Sequence, residues 1–197
     1  MSIQKRGGLR MFGIRCLPIF TFIAVCMIRC LPAAADGSDV CAFYEQHLEA
    51  KTHCGNDGYP LAYGKKYCQR FRDLDGLTPS GSQWRNKTLA CLQSKLDSFV
   101  KDGGDCEVLR QSAFSSHAAC YLDSGFCALP VGDWLRIFHT INWRDLISDS
   151  GLRQIGAALR SCYQRKVDSK QLNPDSSDAT AIRAIIAALE QGKSPKT

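Results

Sequence analysis

Apolar residues recur along most of the chain at the three- and four-residue spacing of an amphipathic helix. The first such segment begins near residue 40, and Ser38 is its predicted N-cap. A long helix follows, with a stripe that starts at Trp84 and is predicted to end at Gly103 and Gly104. The residues of the two stripes are Val40, Phe43, Tyr44, His47 and Leu48, and then Trp84, Thr88, Cys91, Leu92, Lys95, Leu96, Phe99 and Val100.

Four further helices are predicted in the second half. Asp105 should cap one helix, Pro130 should begin the next, and residues 151–166 form a third, with Ser150 or Asp149 as its cap. A last helix follows a polar loop. The predicted buried stripes are Val108, Leu109, Ala113, Ser116 and Cys120; Val131, Trp134, Leu135, Phe138 and Ile141; Leu152, Ile155, Leu159 and Cys162; and Ile182, Ile185, Ile186 and Leu189.

Segments rich in Gly, Pro, Asn and Asp separate these helices. Residues 54–64 and 75–82 are predicted to be loops, with a short helix over Lys65–Leu74 between them. We find no alternating apolar and polar run that would indicate a β-strand. The predicted fold class is all-α, a compact disulfide-stapled helical domain.

The N-terminus has the three parts of a secretory signal peptide. Basic residues come first, the apolar run Cys16–Ile28 follows, and Ala33-Ala34-Ala35 provides small residues for cleavage. The alternative is a membrane anchor, but this run is shorter than the roughly 20 residues that span a bilayer. We therefore predict a signal peptide over 1–35, a single domain over 36–197, and a secreted, extracellular protein without a membrane span.

Removal of the signal peptide would change the charge. Five of the 25 basic residues lie in residues 1–35 and no acidic residue does, so 20 basic and 19 acidic residues remain. A nearly neutral chain has no overall basic field, which argues against nucleic acid as a partner.

Eight cysteines remain after residue 35, an even number in a chain predicted to reach an oxidising compartment. They are Cys41, Cys54, Cys68, Cys91, Cys106, Cys120, Cys127 and Cys162. Four disulfides are therefore expected, although the count alone allows 105 pairings. Zinc is the alternative, but its structural sites favour cysteines two to four residues apart, and no pair here is that close.

From Cys68 to Cys162 the cysteine spacing is C-x22-C-x14-C-x13-C-x6-C-x34-C, and the unit Cys120-Tyr121-x5-Cys127 lies within it. The order of these cysteines, the gaps between them and the Cys120–Cys127 unit are similar to those of the stanniocalcins, which are secreted helical glycoprotein hormones. The chain resembles this family. The match is strongest over 68–162 and weaker upstream, where the gaps to Cys41 and Cys54 differ.

The resemblance implies the pairs Cys91–Cys120, Cys127–Cys162, Cys54–Cys106 and Cys41–Cys68. It also implies a signalling or binding protein rather than an enzyme, with an extracellular partner or receptor. In the family the activities are hormonal control of calcium and phosphate, and inhibition of pappalysin-type metalloproteinases.

The family's covalent dimer uses a cysteine beyond the matched set, and no cysteine follows Cys162 here. A covalent homodimer is therefore not expected. The apolar stripe of the last helix leaves two arrangements open, packing on its own domain or docking on a second subunit.

A small secreted hydrolase or lipid-binding helical protein on a similar scaffold is the alternative function. The segment Ser115–Tyr121 resembles the catalytic helix of secreted phospholipases, but Ala118 stands where that helix has a carboxylate. His117 is then expected to be a helix-surface or capping residue. We predict no catalytic, cofactor or metal residue, and an interior cavity with a histidine–carboxylate pair would favour the alternative.

Asn86-Lys87-Thr88 is a sequon for N-glycosylation. It lies early in the helix that contains Trp84, on its polar side. Asn86 is the candidate glycosylation site, and the alternative is that the sequon is unused.

Overall fold

The computed structural model describes residues 39–97, 105–142 and 149–195, with side chains in the last range described from residue 151. The predicted signal peptide, Ser38, Phe99, Val100, Gly103 and Gly104 lie outside the described residues, as do the side chains of Asp149 and Ser150. The described residues belong to one compact unit, Ser38–Thr197.

Helices make up the ordered structure of the described ranges, and none of their residues lies in a β-strand. This confirms the all-α prediction. The elements are a π-helical segment π1 (Phe43–Glu49) continued by α1 (Ala50–Thr52), a second π-helical segment π2 (Pro60–Lys65) continued by α2 (Lys66–Arg72), α3 (Pro79–Asp97), α4 (Cys106–Asp123), a 3₁₀ turn (Phe126–Ala128), α5 (Val131–Thr140), α6 (Asp149–Asp168) and α7 (Ser177–Glu190).

The first segment buries only part of the predicted stripe, namely Tyr44 and Leu48. Cys41, Tyr44 and Leu48 are buried, whereas Val40 is 42 % exposed. The prediction for Val40 was wrong because Val40 lies in a turn that precedes π1 and so belongs to no helical face.

The loop predicted over 54–64 ends early, because π2 begins at Pro60. Proline fits the first helical position, where its missing N–H has no partner to lose. Gly64 then lets π2 approach π1, since a Cβ at this position would lie 2.5 Å from Cε1 of Tyr44. The loop prediction was wrong over 60–64, because Pro60 and Gly64 are part of the helical segment π2.

The loop predicted over 75–82 is also shorter than expected, because α3 begins at Pro79. Thr78 is its N-cap: the Thr78 hydroxyl accepts from the N–H of Gly81 at 3.1 Å. Trp84, Thr88, Leu92 and Leu96 are buried as predicted.

In α4 the predicted cap is confirmed. The Asp105 carboxylate accepts from the N–H groups of Glu107 at 2.8 Å and Val108 at 3.1 Å. Val108 itself is 49 % exposed and Ser116 is only half-buried, so these two members of the predicted stripe were wrong. Gly125 lies just after α4, and its φ of +100° takes the chain out of the helical conformation.

The C-terminal helices form the firmest part of the prediction. Leu152, Ile155, Leu159 and Cys162 of α6 are all buried. Ile182, Ile186 and Leu189 of α7 are buried too, and α7 packs along α6. The stripe of α7 is therefore covered by its own domain, which decides between the two arrangements left open above.

No helix in the described part of the chain is long and apolar enough to cross a membrane.

Candidate functional site

The eight cysteines after residue 35 form four disulfides, and each joins segments that are distant in sequence. Cys41–Cys68 joins the start of π1 to α2, and Cys54–Cys106 joins the loop after α1 to α4. Cys91–Cys120 joins α3 to α4, and Cys127–Cys162 joins the 3₁₀ turn to α6. Their Cα–Cα distances, from 4.9 to 5.7 Å, suit disulfide geometry. These are the four pairs that the resemblance implies.

His117 lies inside the domain, so its predicted place on the helix surface was wrong. It is 9 % exposed, and its Nδ1 donates to the carbonyl of Ala113 at 2.7 Å. The Phe114 and Tyr121 rings lie with their centroids 5.8 Å from its own. Burial lowers the pKa of His117, which favours the neutral imidazole. The hydrogen bond then assigns the proton to Nδ1 and leaves Nε2 as an acceptor.

Two small cavities are lined in part by His117. One lies between α4, α5 and α6 and has an apolar wall; the other lies under the tyrosines of π1 and π2. Both are lined by His117, Tyr121 and Ile141. Each has a volume of about 30 Å³, enough for roughly one water molecule. Neither has room for an acyl chain.

The arrangement around His117 differs from a hydrolytic site. Its described polar neighbour is a backbone carbonyl, and no carboxylate in the described residues pairs with it. The residues that line the two cavities include no Asp or Glu. A general base of the phospholipase type needs a carboxylate to orient its imidazole, and the described residues place none beside His117.

The remaining histidines lie apart. His47 pairs with Asp97 at 2.8 Å, His53 has φ at +52° just after α1, and His139 is exposed on α5. Within the ranges that the structure describes, no group of three His, Cys, Asp or Glu side chains could hold a metal ion.

Asn86 is exposed on α3, whereas Thr88 of the same sequon is 4 % exposed. The Thr88 hydroxyl oxygen is buried and has no hydrogen-bond partner among the described residues. A glycan on Asn86 would project into solvent. The threonine that an oligosaccharide-transferring enzyme must recognise is inaccessible once α3 has packed, so a glycan on Asn86 would have to be added before folding.

A surface groove of about 510 Å³ runs between α6 and α7. Ala157, Tyr163, Ile186 and Ala187 give it an apolar lining. Its polar groups come from Arg160, Ser161, Gln164 and Arg183, and no Asp or Glu lines it. The volume lies within the range of about 300–1,000 Å³ that ligand-binding sites occupy.

The two arginines of the groove differ in their partners. Arg160 forms a bidentate ion pair with Glu190 of α7, with its Nε 2.5 Å from Oε1. Arg183 donates to three neutral oxygens, which are the Tyr163 hydroxyl at 2.9 Å, the Pro174 carbonyl at 2.5 Å and the Thr180 hydroxyl at 3.0 Å. Among the described residues Arg183 has no carboxylate partner, so its positive charge is unpaired.

This groove was not predicted from the sequence. Arg160 and Gln164 are four residues apart on α6, as are Arg183 and Ala187 on α7. That spacing places each pair on one helix face. The pairing of the two faces across the groove depends on how α6 and α7 pack, which the spacing within either helix does not define.

Compared with known proteins, the chain matches no family model, no curated protein and no solved structure.

Proposed function

We propose that the chain is a secreted, stanniocalcin-like signalling or binding protein that acts through an extracellular protein partner or receptor. The observation that carries the proposal is the disulfide set. Four pairs join the helices in the pattern that the cysteine spacing implies by resemblance. Disulfides of this number persist in oxidising compartments, which supports export through the signal peptide proposed for 1–35.

The small cavities beside His117 favour a binding function at the protein surface over a catalytic function in the interior. The cavities beside His117 hold about one water each, and His117 faces a carbonyl instead of a carboxylate. The hydrolase or lipid-binding alternative would need a larger apolar cavity and a partner for the histidine. We therefore place the activity on a helical surface, either as a hormone-like signal in calcium and phosphate homeostasis or as an inhibitor of an extracellular protease.

Secretion is tested by expressing the full chain in cultured animal cells. We expect the protein in the medium. Its intact mass should be that of a chain beginning at Asp36, and its peptide map should show the four disulfides. A chain that stays inside the cell, or that retains residues 1–35 in the medium, would contradict the proposal. Treatment with a glycosidase, with Asn86→Gln as the matched variant, reports whether the sequon is used.

Activity is tested with the secreted material. We expect the labelled chain to bind cell surfaces saturably, or to slow cleavage of a peptide substrate by a pappalysin-type metalloproteinase. Reduced and alkylated chain is the control, because loss of the disulfides removes the helical surface. Absence of both activities would overturn the proposal, and hydrolysis of an ester or phospholipid that His117→Phe abolishes would favour the alternative.

A further inference from the structure

The groove between α6 and α7 combines an apolar floor with the guanidinium of Arg183, which has no carboxylate partner among the described residues. Ala157 and Ala187 are exposed there and small, so a bound chain could approach both helices closely. Ile186 and Tyr163 lie beneath them and are buried. Such a floor suits apolar side chains and the backbone of a peptide, and offers little to a sulfated glycan, which has no apolar group of comparable size.

Arg183 provides the charge, and its neighbours hold the guanidinium in place. A guanidinium has five N–H donors, and the three described hydrogen bonds of Arg183 use two on Nη1 and one on Nη2. The Nε–H and the second Nη2–H remain for a ligand. A carboxylate is the acceptor that a guanidinium binds most strongly among protein groups.

Arg160 does not compete for this role, because Glu190 already neutralises it. Ser161 and Gln164 add neutral polar groups between the two arginines, and no acidic side chain lines the groove. The groove is therefore positive at Arg183. Two carboxylates outside the lining, Glu190 and Asp168, are hydrogen-bonded to the groove residues Arg160 and Gln164.

We propose that the groove is the docking surface for an acidic peptide segment of the extracellular partner. A carboxylate of that segment binds Arg183, and a neighbouring apolar side chain packs on Ala157, Ile186 and Ala187. The proposal rests on the binding function proposed above and specifies which surface and which partner chemistry it uses.

The test selects random peptides displayed on phage against the full, oxidised chain. We expect the selected peptides to be enriched in Asp and Glu next to apolar residues. Affinities are then measured by fluorescence polarisation with a labelled selected peptide. Arg183→Gln should weaken binding about tenfold or more, and raising the salt concentration should weaken binding to the wild type. Arg183→Lys should give an intermediate affinity, because it keeps the charge but loses the planar donor pair.

Two further variants separate the groove from general effects. Ala187→Glu introduces a negative charge at an exposed groove position and should abolish binding even if Arg183→Gln proves unstable. Arg153→Gln makes the same charge change on an exposed part of α6 outside the groove lining and should leave the affinity unchanged. Melting curves of each variant confirm that the fold persists.

The proposal is overturned if the selection yields no peptide specific to the chain, or peptides without acidic enrichment. It also fails if Arg183→Gln and Ala187→Glu both bind like the wild type, or if heparin fragments occupy the groove and acidic peptides do not. Loss of secretion would instead contradict the proposed function, since groove binding is measured on the purified chain. Cell-surface binding that survives both groove variants overturns this inference alone.

Discussion

Asp133 of α5 accepts two hydrogen bonds from Thr78, one from the backbone N–H at 3.0 Å and one from the hydroxyl at 2.5 Å. Thr78 is the N-cap of α3, and Asp133 lies in the first turn of α5. The carboxylate therefore faces the N-termini of two helices, whose dipoles favour negative charge. It is 2 % exposed and forms no salt bridge with a described basic residue, so these helix ends and Thr78 are what compensate its burial.

Gly81→Ala should disrupt this contact. An added Cβ would lie 2.8 Å from Cγ of Asp133 and would displace the carboxylate from Thr78. Alanine is the better helix former by about 1 kcal/mol, but the clash should prevail and destabilise the domain by about 1–3 kcal/mol. Urea unfolding with the disulfides intact measures the change.

Gly132→Ala is the matched control for that prediction. Gly132 also lies in the first turn of α5, and nothing lies within 4 Å of the position its Cβ would take. We expect this variant to be unchanged or stabilised by about 0.5–1 kcal/mol. Equal effects of the two substitutions would show that the contact with Asp133 has no energetic importance.

The sequence predicted α6 and α7 well, because both follow a regular apolar period. The N-cap of α7, Ser176, was not predicted. The loop prediction failed over 60–64, where Pro60 begins a helical segment and Gly64 gives room to Tyr44 of another segment. The sequence also showed no sign of Asp133, because an acidic residue in the first turn of a helix is ordinarily exposed. What makes it a buried residue is the position of Thr78, 55 residues earlier in the chain.

His117 shows the same limit in the candidate site. Leu109, Ala113, His117 and Cys120 form the buried stripe of α4. The spacing is consistent with burial, but the sequence predicts His117 on the helix surface or at a cap. Its ring packs between Phe114 and Tyr121 of its own helix. The cavity that it shares with Tyr63 of π2 depends on a segment for which the sequence predicts a loop.

Burial of His117 should make stability depend on pH. In the folded state its pKa is lowered, first of all by desolvation, whereas the unfolded chain has the ordinary histidine pKa of about 6.5. Between the two pKa values the unfolded state binds more protons than the folded state. The stability that depends on neutral His117 is therefore fully present above about pH 6.5 and is lost as the pH falls.

We expect the free energy of unfolding to decrease less between about pH 7 and pH 5 in His117→Phe than in the wild type. Denaturant unfolding at several pH values measures the difference. His139→Gln removes an exposed histidine and should leave the wild-type dependence unchanged. Parallel curves for the wild type and His117→Phe would contradict a lowered pKa at this position.

Thr88→Val should stabilise the domain by about 1 kcal/mol, because it removes a buried hydroxyl that has no described partner while keeping the branched shape. The measurement uses protein from a disulfide-forming bacterial host without N-glycosylation, so that loss of the sequon has no effect. Thr52→Val is the control, since the Thr52 hydroxyl donates to the Leu48 carbonyl at 2.9 Å and its loss should not stabilise. A destabilised Thr88→Val would reveal a partner for this hydroxyl.

The stripe of α7 distinguishes folding from assembly. Ile182 is fully buried against its own domain, so Ile182→Asp would place a charge where no partner compensates it. We expect this variant to lose its cooperative thermal transition and its near-ultraviolet circular dichroism. Ala181→Asp, on the exposed side of the same helix, should melt like the wild type.

Light scattering on all three proteins reports their mass in parallel, and non-reducing electrophoresis should show the wild type as a single chain. If the stripe were a subunit contact, Ile182→Asp would instead stay folded and have half the mass of the wild type.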